Sequence, residues 1–172
     1  MADPILISGT NLAVKAYEGR AYTLVFWIPF LGVVLLDQLS KWYIRSNFAL
    51  GQSLPVIGEW LQVVYKENAG AAFGILAGAR WLFIIASAVS VVLAICLYPK
   101  LDPFGRFMVA ALGLVAGGAL GNLIDRINQV TVTDFIYVKH FPAVFNIADS
   151  AIVAGSCIMG IMLIIYCYRP VQ

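Results

Sequence analysis

The sequence predicts an all-α membrane core: four transmembrane helices with a small β-rich cradle and loop on one face. Three observations predict it. Hydrophobic residues make up 62% of the chain and charged residues 12%, with a mean hydropathy of +0.89; a soluble domain is about half apolar and about a quarter charged. The apolar residues fall into four segments, each long enough to cross a bilayer. Nearly every polar group in or beside those segments gathers at one end of them.

Residues 1–21 are mixed, with Lys15, Glu18 and Arg20. The apolar run that follows is too long for a signal-peptide core, so no cleavable leader is expected. They read as a non-membrane lead-in, and residues 169–172 as a short tail. Between them, residues 22–168 read as one membrane domain.

The spans are expected at 22–44, 81–98, 107–124 and 148–168. At 1.5 Å per residue each covers the roughly 30 Å of hydrocarbon. Two prolines and a glycine, Pro99, Pro103 and Gly105, stop the helices between spans two and three. The other two connectors, 45–80 and 125–147, are long. Residues 56–65 (VIGEWLQVVY) are β-branched and aromatic and read as a strand; so does the run from Thr131 to Val138.

Alternation of four spans puts both termini on one side and both long connectors on the other. Asp37 and Lys41 come late in span one. Asn122, Asp125 and Arg126 end span three, and Asn146 and Asp149 open span four. All therefore collect at the leaflet beside the connectors. Lysines and arginines divide five against six between the two faces, so the positive-inside rule does not orient the chain.

Composition also excludes. A net charge of +2, with no basic run, gives no basis for nucleic-acid binding. Cys96, Cys157 and Cys167 are odd in number, lie in apolar segments without a CxxC or histidine partner, and read as small core side chains; no metal or cofactor is expected. The single histidine, His140, reads as a loop residue.

Gly113, Gly117 and Gly121 recur every four residues and share a helix face that admits a close neighbour. Asp37 and Lys41, four apart with the acid first, suit a helical ion pair; a proton pathway is the alternative use. Asn122 and Arg126 share a face and can both donate into a polar pocket. Asp125 can cap the helix end or pair with Arg126 or Lys41. The run Asn68-Ala69-Gly70-Ala71-Ala72-Phe73-Gly74 reads as a tight turn or as backbone offered to an extended ligand.

Asp134 and Asp149 are the candidate catalytic pair, one on a strand-like loop and one at a helix start. Two carboxyls a few ångströms apart do not both ionise easily, and one keeps its proton. Such a pair can hydrolyse an amide, the charged member taking a proton from water and the protonated one donating to the carbonyl oxygen or leaving amine. The positive end of the span-four helix favours charge on Asp149 and leaves the proton to Asp134. A pair of structural polar groups is the competing interpretation. Serine nucleophiles fit less well: Ser40 and Lys41 are adjacent on a helix and do not face each other, and no GxSxG is present.

At these residues the chain resembles the bacterial lipoprotein signal peptidases (signal peptidase II), a membrane aspartic-peptidase family. The likeness runs over about residues 22–168. It rests on Asp37-Gln38-Leu39-Ser40-Lys41, Asn68-Ala69-Gly70-Ala71-Ala72-Phe73, Gly121-Asn122-Leu123-Ile124-Asp125-Arg126, Thr133-Asp134-Phe135 and Phe145-Asn146-Ile147-Ala148-Asp149-Ser150.

The resemblance implies that Asp134 and Asp149 are the catalytic dyad. It implies that Asn68, Gly70, Asn122, Arg126 and Asn146 line the site and bind substrate, and that Asp37, Lys41 and Asp125 support it. The implied substrate is a prolipoprotein whose cysteine carries diacylglyceryl, cut just before that cysteine, with membrane lipid and globomycin-type inhibitors as further partners. The implied place is the bacterial inner membrane, with cytoplasmic termini and an extracytoplasmic cradle and site. Thr133 stands where valine is common, and the lead-in is long for the family. A small transporter using Asp37, Asp125 and Asp149 as a relay, or a scaffold with a structural polar cluster, are the alternatives.

Overall fold

A computed structural model describes residues 4–70, 79–101 and 104–168, with side chains from Tyr22 onward. Its elements are α1 (Pro4–Asn47), β1 (Ser53–Ile57), β2 (Leu61–Asn68), α2 (Arg80–Leu97), a 3-10 turn (Tyr98–Lys100), α3 (Arg106–Asn128), β3 (Val132–Val138), β4 (Val144–Phe145) and α4 (Ile147–Cys167). Among the described residues, four helical stretches are long and apolar enough to cross a membrane: Tyr22–Asn47, Arg80–Lys100, Arg106–Asn128 and Ile147–Cys167. The four-span expectation is borne out, with span three reaching further than expected. Asp125 and Arg126 therefore sit on the last turns of α3 and not in a connector.

α3 is the axis of the bundle. Its membrane window is 61% buried, against 22% for α1 and 11% for α2 and α4. It can be central because it is small on two faces. A Cβ on Gly113 would lie 2.5 Å from the Phe26 carbonyl oxygen, and one on Gly117 2.6 Å from that of Phe30. One on Gly118 would collide with the Ala148 carbonyl, and Gly155 of α4 meets the Ala111 carbonyl in the same way. Without a hydrophobic force between helices in lipid, such close backbone approach is the main source of association. Gly113→Ala is thus expected to cost about 1–3 kcal/mol, read as a lower unfolding midpoint of the purified protein.

Phe26, Phe30, Val91, Val109, Leu112 and Ala116 form the interhelical core. Leu24, Ile28, Leu31, Leu35, Val92 and Ile161 face outward, as lipid-facing side chains do. Cys96, Cys157 and Cys167 are also exposed, which corrects their reading as core residues. The physical reason is that in a bilayer an apolar side chain is at home on the outside.

The strand expected at 56–65 is two strands. Gly58 has φ +50°, a conformation that favours glycine, and the Trp60 N–H closes the turn onto the Ile57 carbonyl at 3.0 Å. β1 and β2 are the arms of that hairpin. The expected strand at 131–138 is β3, and β4 is an addition. All four make one antiparallel sheet in the order β1-β2-β3-β4. The sheet joins the two long connectors into one cradle over the helix ends. His140 lies in the turn after β3, edge-on to Trp60.

Candidate active site

Sheet register sets the first half of the site. Lys66 of β2 pairs with Asp134 of β3, and Asn68 pairs with Val132. Asn68 is two residues beyond Lys66, hence on the same face as Asp134. Its Nδ2 donates to Asp134 Oδ2 at 2.9 Å, and its Oδ1 accepts from the Gly70 N–H at 3.0 Å.

The start of α4 sets the second half. Asn146 is the N-cap: its Oδ1 accepts from the Asp149 N–H at 2.9 Å, while Asp149 Oδ2 accepts from the Asn146 N–H at 3.2 Å. This is a capping box in which an aspartate takes the place of the usual glutamate. The amide left over, Asn146 Nδ2, donates to Asp134 Oδ1 at 2.8 Å. One fully buried side chain therefore holds both aspartates. The remaining oxygen, Asp149 Oδ1, accepts from Asn122 Nδ2 at 2.7 Å. Each of the four carboxyl oxygens receives an N–H and keeps its other lone pair.

Asp134 and Asp149 line one cavity of about 560 Å³, together with Asn68, Gly70, Asn122 and Arg126. Most of the remaining lining is apolar, with Phe141, Val144, Phe145, Ile152 and Val153. Asp134 is buried and Asp149 is half-buried. Burial above all, and next the charge of Asp149, push the Asp134 carboxyl up to about 6. The amide donors Asn68 and Asn146, and the Lys41 charge, oppose this without cancelling it. Arg126 donates to the Asn122 and Gly70 carbonyls at 3.3 and 3.4 Å, with its guanidinium 5.0 Å from the Phe83 ring centroid.

Beneath the cavity lies a second, fully buried cluster. Lys41 Nζ spends its three protons on Asp37 Oδ2 at 2.8 Å, Asn122 Oδ1 at 2.9 Å and Asp125 Oδ2 at 3.1 Å. Asp37 Oδ1 accepts the Ala148 N–H of α4 at 2.9 Å. Asp125 Oδ2 accepts the Thr133 N–H of β3 at 3.1 Å. The cluster thus pins α1, α3, α4 and the strand bearing Asp134 to one another. Of the pairings open for Asp125, it is Lys41 that it meets.

All ten residues singled out in the sequence converge at one end of the bundle. Asn146 is the one member placed differently: it is buried between the aspartates, not on the cavity wall. The small-residue run is described only to Gly70, so Ala71–Gly74 lie outside the described residues. Sequence reasoning missed Gln38, which donates to Asp37, the Gly121 carbonyl and Asp125 at 3.1, 3.0 and 3.3 Å. It also missed Arg45, 3.7 Å from Asp125 and donating to Thr133 Oγ1 at 3.1 Å. The four-residue spacing of Asp37, Lys41 and Arg45 on one helix face is the signal that would have found Arg45. Ser40 donates back to the Asp37 carbonyl at 2.9 Å, a local helix contact with no nucleophile partner in it. The acids touch one another through shared donors at a single depth, which does not favour a relay across the bilayer.

Known proteins resemble this chain over most of its length. The family model described as Signal peptidase (SPase) II matches residues 30–165. A lipoprotein signal peptidase of Syntrophomonas wolfei subsp. wolfei is 43% identical over 140 residues, covering 81% of this chain and 93% of its own. One of Moorella thermoacetica is 43% identical over 136 residues, covering 77% and 90%. A solved bacterial membrane enzyme superposes with a TM-score of 0.77 at 33% identity, covering 84% of this chain and 93% of its own. A second solved bacterial membrane enzyme gives 0.71 at 33% identity, with 84% and 92% covered. A family model over residues 30–165, and relatives 43% identical over most of the chain, match the sequence that builds these four membrane-length helices: the chain belongs to the signal peptidase II family.

Proposed function

We propose that the protein is an aspartic endopeptidase that removes the signal peptide from diacylglyceryl-modified prolipoproteins, cutting just before the lipidated cysteine. The observation that carries this reading is the single Asn146 side chain that ties Asp134 and Asp149 to one cavity wall. Residues 22–168 act as one peptidase domain in the bacterial inner membrane. The termini are cytoplasmic, and the dyad lies at the extracytoplasmic leaflet.

Asp149, half-buried at the third position of α4, begins the reaction as carboxylate and takes a proton from water. The resulting hydroxide equivalent adds to the scissile carbonyl carbon as Asp134 gives its proton to the carbonyl oxygen. Asp149 then returns its proton to the leaving nitrogen. As the C–N bond breaks, the hydroxyl proton goes back to Asp134. The dyad ends with the single proton it started with. Arg126, on the same wall, offsets negative charge during the passage.

The apolar lining and the outward helix faces beside it suit acyl chains that stay in the bilayer while the polar junction is read. Membrane lipid is therefore part of the environment of the reaction. A globomycin-type inhibitor would act by occupying the space between the two carboxyls. The test is cleavage, by the purified full chain, of matched precursors with and without diacylglyceryl on the cysteine. The lipidated form is expected to be cut at least about 10²-fold faster in kcat/KM, because remote binding energy is used at the reacting centre. Equal rates, or no cleavage of either, would reject the reading.

A further inference from the structure

The geometry points to Lys41 as a positioning residue for the dyad. By holding the Asn122 amide with its oxygen inward and its nitrogen on Asp149, it assigns the negative charge to Asp149 and leaves the shared proton to Asp134. This rests on the reading of the two aspartates as the dyad.

Three asparagine amides feed N–H groups to the carboxyls, and an amide can face either way unless something fixes it. Asn68 is fixed by the Gly70 N–H and Asn146 by the Asp149 N–H. Those are local backbone contacts. Asn122 is fixed by the Lys41 ammonium at 2.9 Å, reaching across from α1, with Asn146 Nδ2 adding a weaker contact at 3.2 Å. Among the described residues, Lys41 is therefore the charged group that sets an amide of the dyad. An inverted Asn122 would put its oxygen against Asp149 Oδ1, a contact that only a protonated carboxyl tolerates. With the ammonium in place, Asp149 meets a donor on each oxygen.

Other charges face this point. From α1 come Asp37, Lys41 and Arg45; from α3, Asp125 and Arg126. Asp37 and Asp125 balance Lys41 and Arg45. Arg126 lines the cavity with both aspartates and interacts more strongly with Asp149 than with Asp134, so it works in the same direction. On β2, Lys66 is exposed opposite Asp134, and Glu67 is held by the Tyr65 and Thr131 hydroxyls. Among the described residues each aspartate meets a donor on both oxygens, and the donor that a charged side chain orients is Asn122, on Asp149.

The test uses the purified full chain and the charge-neutral double variant Lys41→Met/Asp37→Asn, in which an amide oxygen still serves the Ala148 N–H. Released, Asn122 supports Asp149 carboxylate less well, so the first proton of the pair binds more tightly. The acid limb of kcat against pH for a dipalmitoylglyceryl precursor peptide is expected to move up by about one pH unit. KM should stay within about two-fold. Infrared spectra locate the proton independently of activity. In the wild-type background, the protonated-carboxyl band should vanish in Asp134→Asn and persist in Asp149→Asn. In the double-variant background it should respond to both substitutions. A lower kcat with an unmoved acid limb and an unchanged band would reduce Lys41 to a structural role and overturn the proposal. If the double variant does not fold, the wild-type band decides: survival in Asp134→Asn with loss in Asp149→Asn overturns it. A wild-type chain that cleaves nothing would sink the peptidase reading, while the band assignment would still answer this one.

Discussion

Asp134→Asn and Asp149→Asn are each expected to lower kcat on a lipidated precursor by about 10³-fold or more, with KM changed little. In the proposed reaction either substitution removes a group that takes or gives a proton in both halves, so neither partner can carry that cycle alone. Asn fills the same volume and keeps an acceptor for one of the two N–H donors that each aspartate receives; the other donor loses its partner, at about 1–3 kcal/mol. The scaffold alternative predicts the reverse, with loss of folding as the main effect. Stability against pH tests which aspartate holds the proton. Asp134 holds its proton to about pH 6 in the fold, against 3.8 as its ordinary value. Between those values the native state binds more protons than the unfolded chain, so stability falls as pH rises from about 4 to about 6. A shift of about two units is up to about 3 kcal/mol. Thermal midpoints across that window should show the decline in the wild type and its loss in Asp134→Asn. An unchanged slope in the variant would mean that Asp134 does not hold the proton.

Lys41→Met alone is expected to destabilise by about 3–5 kcal/mol, the cost of leaving buried charge without its partner. Its ammonium is fully buried and meets Asp37, Asp125 and Asn122. Removing it leaves two buried carboxylates with neutral donors, Gln38 and the Ala148 and Thr133 N–H groups, and with Arg45 at 3.7 Å from Asp125 only. Adding Asp37→Asn should restore most of the midpoint, because the pair then leaves together and the Ala148 N–H keeps an acceptor. A double variant no more stable than the single one would show that the cluster holds α4 by the aspartate charge itself. The comparison also prepares the proton-location experiment, which needs a folded protein without the ammonium.

The sequence by itself determined the membrane class, the four spans and the end at which chemistry collects. Span length and hydropathy are properties of the chain as written, and alternation of spans turns order along the chain into place across the bilayer. It also supplied ten residues that the fold brings together, because ionisable groups beside lipid need a reason to be there. Tertiary structure alone decided how they work. Residues 56–65 read as one strand until Gly58, at φ +50°, folded them back into a hairpin. The cysteines read as core until the helices chose which faces to turn to lipid. Gln38 and Arg45 look like ordinary polar residues in the sequence; their importance comes from partners as much as 88 residues away. The direction of an amide, and with it the seat of a proton, is set by which donors surround it in space. No spacing along the chain encodes that. It follows from three helices and a strand meeting around one lysine.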